Sequence, residues 1–206
     1  MSATRDKRAT VAKQIEESAS LCVGLASQTN VIVQIADEMI RAFRHGRKVL
    51  LFGNGGSAAD AEHIACELSG KFTLFRDPLP AIALTTNTSA LTAIGNDFGY
   101  EEVFARQLKG LVAEGDVVIG LSTSGTSSNV IKAMEEASRR GAITVAFTGD
   151  RGRLKEIANY ALSVASTNTP RIQEGHMLAG HIICGLVEKA LFGTPASRKA
   201  RRTCSR

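Results

Sequence analysis

The chain of 206 residues contains no tryptophan, few prolines and four scattered cysteines, and it has no unbroken run of eighteen apolar residues. Without such a run, and with a polar first segment of mixed charge, the sequence indicates neither a membrane-spanning helix nor a secretory signal. We therefore expect a cytoplasmic protein with no membrane partner. The cysteines form no C-x-x-C pair, which favours reduced packing residues over a disulfide or a zinc knuckle. They are Cys22, Cys66, Cys184 and Cys204.

The excess of positive charge lies at one end of the chain. The formal net charge is +5, and the last ten residues contain five basic side chains and no acidic one. The rest of the chain is therefore close to neutral, and we predict one domain over 1–195 followed by a basic disordered tail over 196–206, with no nucleic-acid partner. A weak contact between this tail and nucleic acid or an acidic surface is the alternative.

A glycine-rich turn follows the first buried strand that the sequence predicts, Val49–Phe52. The turn, G-N-G-G at 53–56, can adopt backbone conformations closed to other residues, and Ser57 is a suitable N-cap for the alanine-rich helix that follows. Free N–H groups and the positive end of a helix dipole favour a bound phosphate. The turn lacks the third glycine of a dinucleotide fingerprint and the lysine of a P-loop, so it indicates phosphate rather than a nucleotide.

Two potential acid–base groups lie in the same predicted helix. His63 and Glu67 are four residues apart, so both side chains project from one face of the helix into the same space. The alternatives are that His63 is a satisfied core histidine and that Glu67 is an exposed helix charge. A phosphate site and an acid–base pair on one element together favour a site for chemistry on a phosphorylated substrate.

A second turn resembles the first. The predicted strand Val117–Leu121 is followed by S-T-S-G-T-S-S at 122–128, where another helix begins. Hydroxyl and N–H groups again gather at the carboxyl end of a strand. Either turn alone is compatible with ordinary Ser/Gly turn chemistry, but the pair favours an anion site.

Apolar runs alternate with helical stretches from Lys48 onward, which is typical of a parallel sheet covered by helices on both faces. We predict a doubly wound α/β fold with five parallel strands and two N-terminal helices. The predicted strands are Val49–Phe52, Ala81–Thr85, Val117–Leu121, Thr144–Phe147 and Ala161–Ala165. The predicted helices cover 4–27, 29–45, 57–70, 88–94, 101–112, 127–140 and 152–158, and a last one runs from Pro170 to about Phe192. The apolar stripes of the first two helices fit core packing or contact with another subunit equally well.

Four sequence blocks resemble those of the sugar isomerase (SIS) domain family, in order and with its spacing, over about residues 10–192. They are G-N-G-G-S-A-A-D-A-E-H-I-A-C-E-L, T-A-I-G-N-D-F-G-Y, G-L-S-T-S-G-T-S-S-N-V and R-I-Q-E-G-H-M-L-A-G-H-I-I. The resemblance implies that Glu67 and His181 are catalytic, although His181 could instead be a packing residue of the apolar Leu178–Val187 run. The substrate-binding residues that it implies are Asn54, Gly55, Gly56, Ser57, Lys71, Asn96, Asp97, Ser122, Thr123, Ser124, Ser127 and Gln173. Some members of the family also hold a zinc ion, here between His63, Glu67, Gln173 and His181.

The same resemblance implies an aldose–ketose isomerase that acts on a phosphorylated seven-carbon sugar through an enediol, at the start of ADP-heptose biosynthesis. It also implies self-association, as a homotetramer with sites near subunit interfaces. The alternative is a non-catalytic SIS regulator that binds the replication initiator, and the presence of both Glu67 and His181 argues against it. The chain departs from some members at Lys71, where arginine also occurs, and at Pro170, where others carry an acidic residue. Gln173 and His181 lie about 12 Å apart along an ideal helix, so the sequence alone does not bring them to one metal.

Overall fold

A parallel five-stranded sheet lies at the centre of the molecule, in a computed structural model that describes residues 2–193, with side chains from residue 6 onward. The predicted tail at 196–206 lies outside these residues. The strands are β1 (Val49–Gly53), β2 (Ala81–Ala83), β3 (Val117–Ser122), β4 (Ile143–Gly149) and β5 (Tyr160–Val164). They lie in the order β2-β1-β3-β4-β5, which confirms the doubly wound α/β prediction.

Helices cover both faces of the sheet, because successive strand residues point to opposite sides. The helices are α1 (Ser2–Gly24), α2 (Thr29–Arg44), α3 (Gly56–Ser69), α4 (Thr88–Phe98), α5 (Ala105–Leu111), α6 (Ser128–Arg139), α7 (Leu154–Ile157) and α8 (Thr169–Phe192), with 3-10 turns at Leu25–Gln28 and Tyr100–Glu102. In β1, Val49 and Leu51 pack on the layer of α2, α3 and α8, whereas Leu50 and Phe52 pack on the layer of α5 and α6. Both faces of the central strands are therefore buried.

Glycines in left-handed conformations account for two differences from the predicted helices. Gly99, with φ +89°, ends α4 and separates it from the region predicted as one helix over 101–112, which forms a 3-10 turn and the short α5. Gly152, with φ +93°, leaves only one turn, α7, of the helix predicted over 152–158. The helix predicted over 4–27 likewise changes to a 3-10 turn after Gly24.

The two N-terminal helices differ in what they bury. Ile35 and Met39 of α2 are fully buried against the sheet, whereas Val11 and Ile15 of α1 are 58% and 64% exposed. The helical stretch Asp6–Arg44 is long and apolar enough, by length and composition alone, for a membrane span. The most apolar window of this stretch is 22% buried in the structure.

Candidate active site

The carboxyl ends of β1 and β3 are neighbours in the sheet. Gly53 pairs in register with Leu121, and the chain leaves the two strands toward opposite edges. Such a switch point opens a crevice above the sheet, which is where α/β proteins bind their ligands. The two predicted anion-binding turns therefore lie side by side, one at the start of α3 and one at the start of α6.

The first turn uses its glycines for close packing. Gly55 precedes α3 with φ +56°, and a Cβ on Gly53 would lie 2.8 Å from Ser57 Cβ and 2.9 Å from Leu121 O. A Cβ on Gly56 would lie 2.1 Å from Gln173 Nε2, so the Gln173 amide lies directly over the start of the helix. The prediction of Ser57 as N-cap was wrong, because α3 begins at Gly56 and Gly55 occupies the cap position. No side chain caps the helix start, and the Ser57 and Ala58 N–H groups donate to the Asn54 and Gly55 carbonyls. Among the described hydrogen bonds, this leaves the Gly55 and Gly56 N–H groups for a ligand.

The second turn presents a cluster of hydroxyl groups. Ser122 Oγ lies 2.9 Å from Ser127 Oγ and 3.4 Å from Ser124 Oγ, and Thr126 donates its hydroxyl to Ser124 at 3.0 Å. Ser127 is the N-cap residue of α6, but its hydroxyl makes no capping bond. The helix start is again open to an anion, with several hydroxyl donors beside it.

A reciprocal amide pair joins the two turns. Asn54 Nδ2 donates to Asn129 Oδ1 at 2.9 Å, and Asn129 Nδ2 donates to Asn54 Oδ1 at 2.8 Å. Asn129 is buried and also accepts from the Val130 N–H, while Tyr100 donates weakly to Asn54. The Asn54 side chain therefore joins the first turn to the start of α6. Asn129 and Tyr100 were not identified as site residues from the sequence. The S-S-N-V block and the end of the G-N-D-F-G-Y block contained them.

Three acid–base side chains converge from α3 and α8. His63 Nε2 lies 3.0 Å from His181 Nε2 and 3.2 Å from Glu67 Oε1, and one ligand atom from each residue lies within 4.8 Å of the others. The spacing of four brings His63 and Glu67 to one face of α3, as the sequence predicted, and α8 supplies His181 across from them. His63 is half-exposed, so the cluster is open to solvent on one side.

The donor set suits a divalent metal ion. Ligands about 2.0–2.1 Å from a tetrahedral zinc ion lie roughly 3.3–3.5 Å from one another, close to the 3.0 and 3.2 Å that separate His63 Nε2 from His181 Nε2 and Glu67 Oε1. Two imidazoles and a carboxylate are ligands that zinc accepts. The Gln173 amide lies over Gly56, at the start of α3.

Two nearby groups have shifted pKa values. Burial raises the pKa of Asp60 to about 6, although the nearby His63 opposes this shift. Burial, and next the charge of Glu67, raise the pKa of the Cys184 thiol to about 12. Cys184 therefore stays protonated and acts as a packing residue behind the cluster.

Three predicted binding residues make their described contacts outside the two turns. Lys71 Nζ lies 5.0 Å from the centre of the Phe75 ring, and Asn96 donates to Asp97 at 2.8 Å on exposed surface. Within residues 2–193, no hydrogen bond or ion pair joins them to either turn. Their assignment to the substrate remains a prediction.

Comparison with known proteins agrees with the fold. Residues 13–149 match the model of the SIS domain family. A phosphoheptose isomerase of Burkholderia pseudomallei is 55% identical over 161 residues, which are 78% of this chain and 82% of the relative. One from a Nitratiruptor species is 57% identical over 152 residues, covering 73% and 81% of the two chains. The solved phosphoheptose isomerase of Neisseria gonorrhoeae superposes with a TM-score of 0.84 at 40% identity, covering 88% of this chain and 98% of that one. This chain belongs to the SIS domain family, among the phosphoheptose isomerases.

Proposed function

We propose that the protein is an aldose–ketose isomerase that converts sedoheptulose 7-phosphate to D-glycero-D-manno-heptose 7-phosphate through an enediol. The observation that carries the proposal is the convergence of Glu67, His63 and His181 beside two uncapped helix starts. An acid–base cluster and an anion site within one crevice are what isomerisation of a sugar phosphate requires. The reaction would be the first step of ADP-heptose biosynthesis in the cytoplasm.

The two turns would hold the phosphate. Backbone N–H groups at the start of α3 and the hydroxyls of Ser122, Ser124 and Ser127 provide donors from two sides. These hydroxyls bond to one another, so a phosphate oxygen can exchange those neutral bonds for charge-assisted ones. Thr123 and Ser57 belong to the same two segments, and Asp97 would hold the open-chain sugar.

Glu67 and His181 would carry the protons. Isomerisation removes a proton from the carbon beside the carbonyl and moves another proton between the two oxygens. In the proposed mechanism Glu67 takes the carbon-bound proton, and His181 exchanges a proton with the oxygens. The open side at His63 gives the sugar access to both groups.

We further propose that zinc binds at His63, Glu67 and His181, with Gln173 as the fourth ligand. A bound divalent ion would stabilise the negative oxygen of the enediol. The short distances from His63 Nε2 to His181 Nε2 and Glu67 Oε1, 3.0 and 3.2 Å, support the assignment. Gln173 would have to turn from Gly56 to join them.

Self-association as a homotetramer is the proposed assembly. An apolar groove of about 420 Å³ separates the N-terminal helices from α8, and Val33, Ile182 and Leu186 remain exposed along it. Ile182 directly follows His181, so a second subunit seated there would lie beside the site. The exposed Val11 and Ile15 of α1 extend the apolar surface. Light scattering should report a tetramer, and Val33→Glu should dissociate it while the adjacent exposed Gln34→Glu should not.

Turnover is the test of the proposed function. Purified protein is incubated with sedoheptulose 7-phosphate, with and without added zinc, and the aldose product is followed while metal content is measured. Formation of the aldose supports the isomerase. Binding of the ketose with no interconversion under any metal condition would contradict the isomerase and favour the alternative, a non-catalytic SIS regulator.

A further inference from the structure

A buried carboxylate on α8 organises the segment that follows α3. Glu188 is 2% exposed and accepts hydrogen bonds from the backbone N–H groups of Phe72, Thr73 and Leu74 at 3.2, 2.9 and 2.9 Å. The Thr73 hydroxyl donates to it at 2.6 Å and Arg76 Nε at 3.1 Å. Five donors on one carboxylate fix the conformation of the whole 72–76 turn, and they hold the pKa of Glu188 below its usual value against the effect of burial.

The guanidinium partner of this carboxylate also reaches the end of α3. Arg76, whose side chain is 1% exposed, donates to the backbone carbonyls of Glu67 at 2.7 Å and Leu68 at 2.8 Å. The last carbonyls of a helix have no partner within the helix, and here a side chain supplies one. Arg76 therefore fixes the position of the Glu67 backbone.

The same turn also reaches His181. The Phe72 ring stacks on the His181 imidazole, with centroids 5.9 Å apart and an angle of 22° between the planes. His181 and Glu188 are seven residues apart, so they lie on the same face of α8 two turns from each other. One ion pair thus touches Glu67 through its backbone and His181 through the Phe72 ring.

We propose that Arg76 and Glu188 form a positioning pair for the two acid–base residues, and that Phe72 transmits this positioning to His181. The inference rests on the proposed function in assigning chemistry to Glu67 and His181. Rings that hold a histidine in one orientation affect its use as a ligand or proton carrier, because the ring nitrogens must point at fixed places. Arg76, Glu188 and Phe72 touch neither substrate nor metal themselves.

A second buried ion pair provides the control. Asp116 is 1% exposed and accepts from Lys48 Nζ at 2.6 Å and from the N–H groups of Lys48 and Ala113. This carboxylate resembles Glu188 in burial and in its donors, but it lies at the amino end of the sheet, away from the site. A purely structural role for Glu188 predicts that Glu188→Gln and Asp116→Asn behave alike.

The direct readout is the imidazole NMR signal of His181 in metal-free protein. Phe72→Ala removes a stacked ring and should shift the His181 ring protons, and Glu188→Gln should shift them in the same direction. Asp116→Asn should leave them in place, and Phe72→Tyr, which retains the ring, should preserve the wild-type signal. Unmoved His181 signals in folded Glu188→Gln protein would overturn the inference, whether or not the wild type isomerises the sugar.

Kinetics and metal affinity extend the test to function. Changes to groups that orient ligands typically cost about ten- to a hundredfold in metal affinity or activity, so Phe72→Ala and Glu188→Gln should lower kcat and zinc affinity by such factors. KM should change little, because the phosphate turns lie at the starts of α3 and α6, whereas Arg76 contacts the end of α3. Phe72→Tyr should recover most of the loss. Normal kcat and zinc affinity in both Phe72→Ala and Glu188→Gln would count against the proposal, whereas a wild type without turnover would contradict only the proposed function.

Discussion

The two ends of the sheet differ in how they treat buried polar groups. At the amino end, Asp116 is matched by Lys48 and by backbone donors, and Asn159 Oδ1 accepts both the N–H and the hydroxyl of Thr144. At the carboxyl end the buried Asp60 Oδ2 and His176 Nδ1 have no hydrogen-bond partner. The other buried side-chain atoms without a partner in the described part of the chain, Thr85 Oγ1 and Arg171 Nε, also follow strand ends.

This difference separates stability from binding. A buried polar atom without a partner costs free energy, so proteins leave few of them. Among them, Asp60 lies near His63 of the acid–base cluster, where a ligand or a solvent molecule can supply the missing bond. Substitution of Asp116 at the amino end should therefore change unfolding, whereas substitutions in the acid–base cluster at the carboxyl end should change chemistry.

The largest effect should come from the acid–base residues. Glu67→Gln keeps the shape of the side chain but removes the base, so turnover should fall by about 10²–10⁴ while the unfolding free energy changes little. His181→Gln should cost a similar factor, and the double variant little more, because residues that act together are not additive. The measurement is turnover with and without excess zinc, since recovery with zinc would point to lost metal binding. If turnover survives Glu67→Gln in zinc-free buffer, Glu67 is not the base, and the expected effect of the carboxyl end on chemistry is wrong.

The reverse pattern is expected at the amino end. Asp116→Asn leaves Lys48 without its buried partner and should lower the unfolding free energy by about 3 kcal/mol, reduced from the full cost of a broken buried pair because Lys48 is partly exposed. Activity per folded molecule should stay at the wild-type level. Urea unfolding beside an activity assay measures both, and a stable variant with low turnover would reverse the comparison.

Acid should act through the carboxyl end. Burial lowers the pKa of His176 to about 4 from 6.5, although its hydrogen bond to the Thr148 carbonyl opposes this. The unfolded chain then binds more protons than the native one between these values, so stability falls as pH drops through 6.5 toward 4. From pH 7.5 to 4.5 this group should cost about 2.5 kcal/mol.

His176→Gln cannot be protonated and should lose that much less stability over the same range. Urea unfolding of both proteins at several pH values gives the difference, in which the opposite contribution of Asp60, whose raised pKa favours the folded state at low pH, cancels. Parallel stability curves would mean that His176 is not a source of acid sensitivity.

The smallest effect tests a single hydroxyl. Ser124 lies among the hydroxyls of the second turn, and its bond to a phosphate oxygen would contribute about 1.5–3 kcal/mol. Ser124→Ala should therefore weaken substrate affinity roughly ten- to a hundredfold with little change in stability. Calorimetry with the sugar phosphate measures the affinity. Unchanged affinity with lost turnover would mean that Ser124 acts in the chemical step rather than in binding.

The fold was predictable because its signals are local. Continuous apolar runs such as Val117–Leu121 identify buried parallel strands, and the i, i+4 spacing of His63 and Glu67 fixes their common face. The ends of helices were harder, since a single glycine conformation at Gly99 or Gly152 ends a helix that composition alone would continue.

The support around the site could not be predicted from spacing alone. Asn54 and Asn129 are 75 residues apart, and Phe72 meets His181 only because Glu188 holds its turn. Such contacts depend on how α3, α6 and α8 are placed by the whole sheet. The resemblance pointed to the reactive side chains, whereas the residues beneath them required coordinates.

The reciprocal Asn54–Asn129 pair has a thermodynamic consequence for ligand capture. Because the pair joins the two turns before any ligand binds, the conformational entropy of forming the anion site between them is lost during folding rather than during binding. A preorganised site gives more affinity per contact than a site that must become ordered when its ligand binds. Inorganic phosphate, which lacks the sugar, should then bind at the two turns on its own and compete with the substrate.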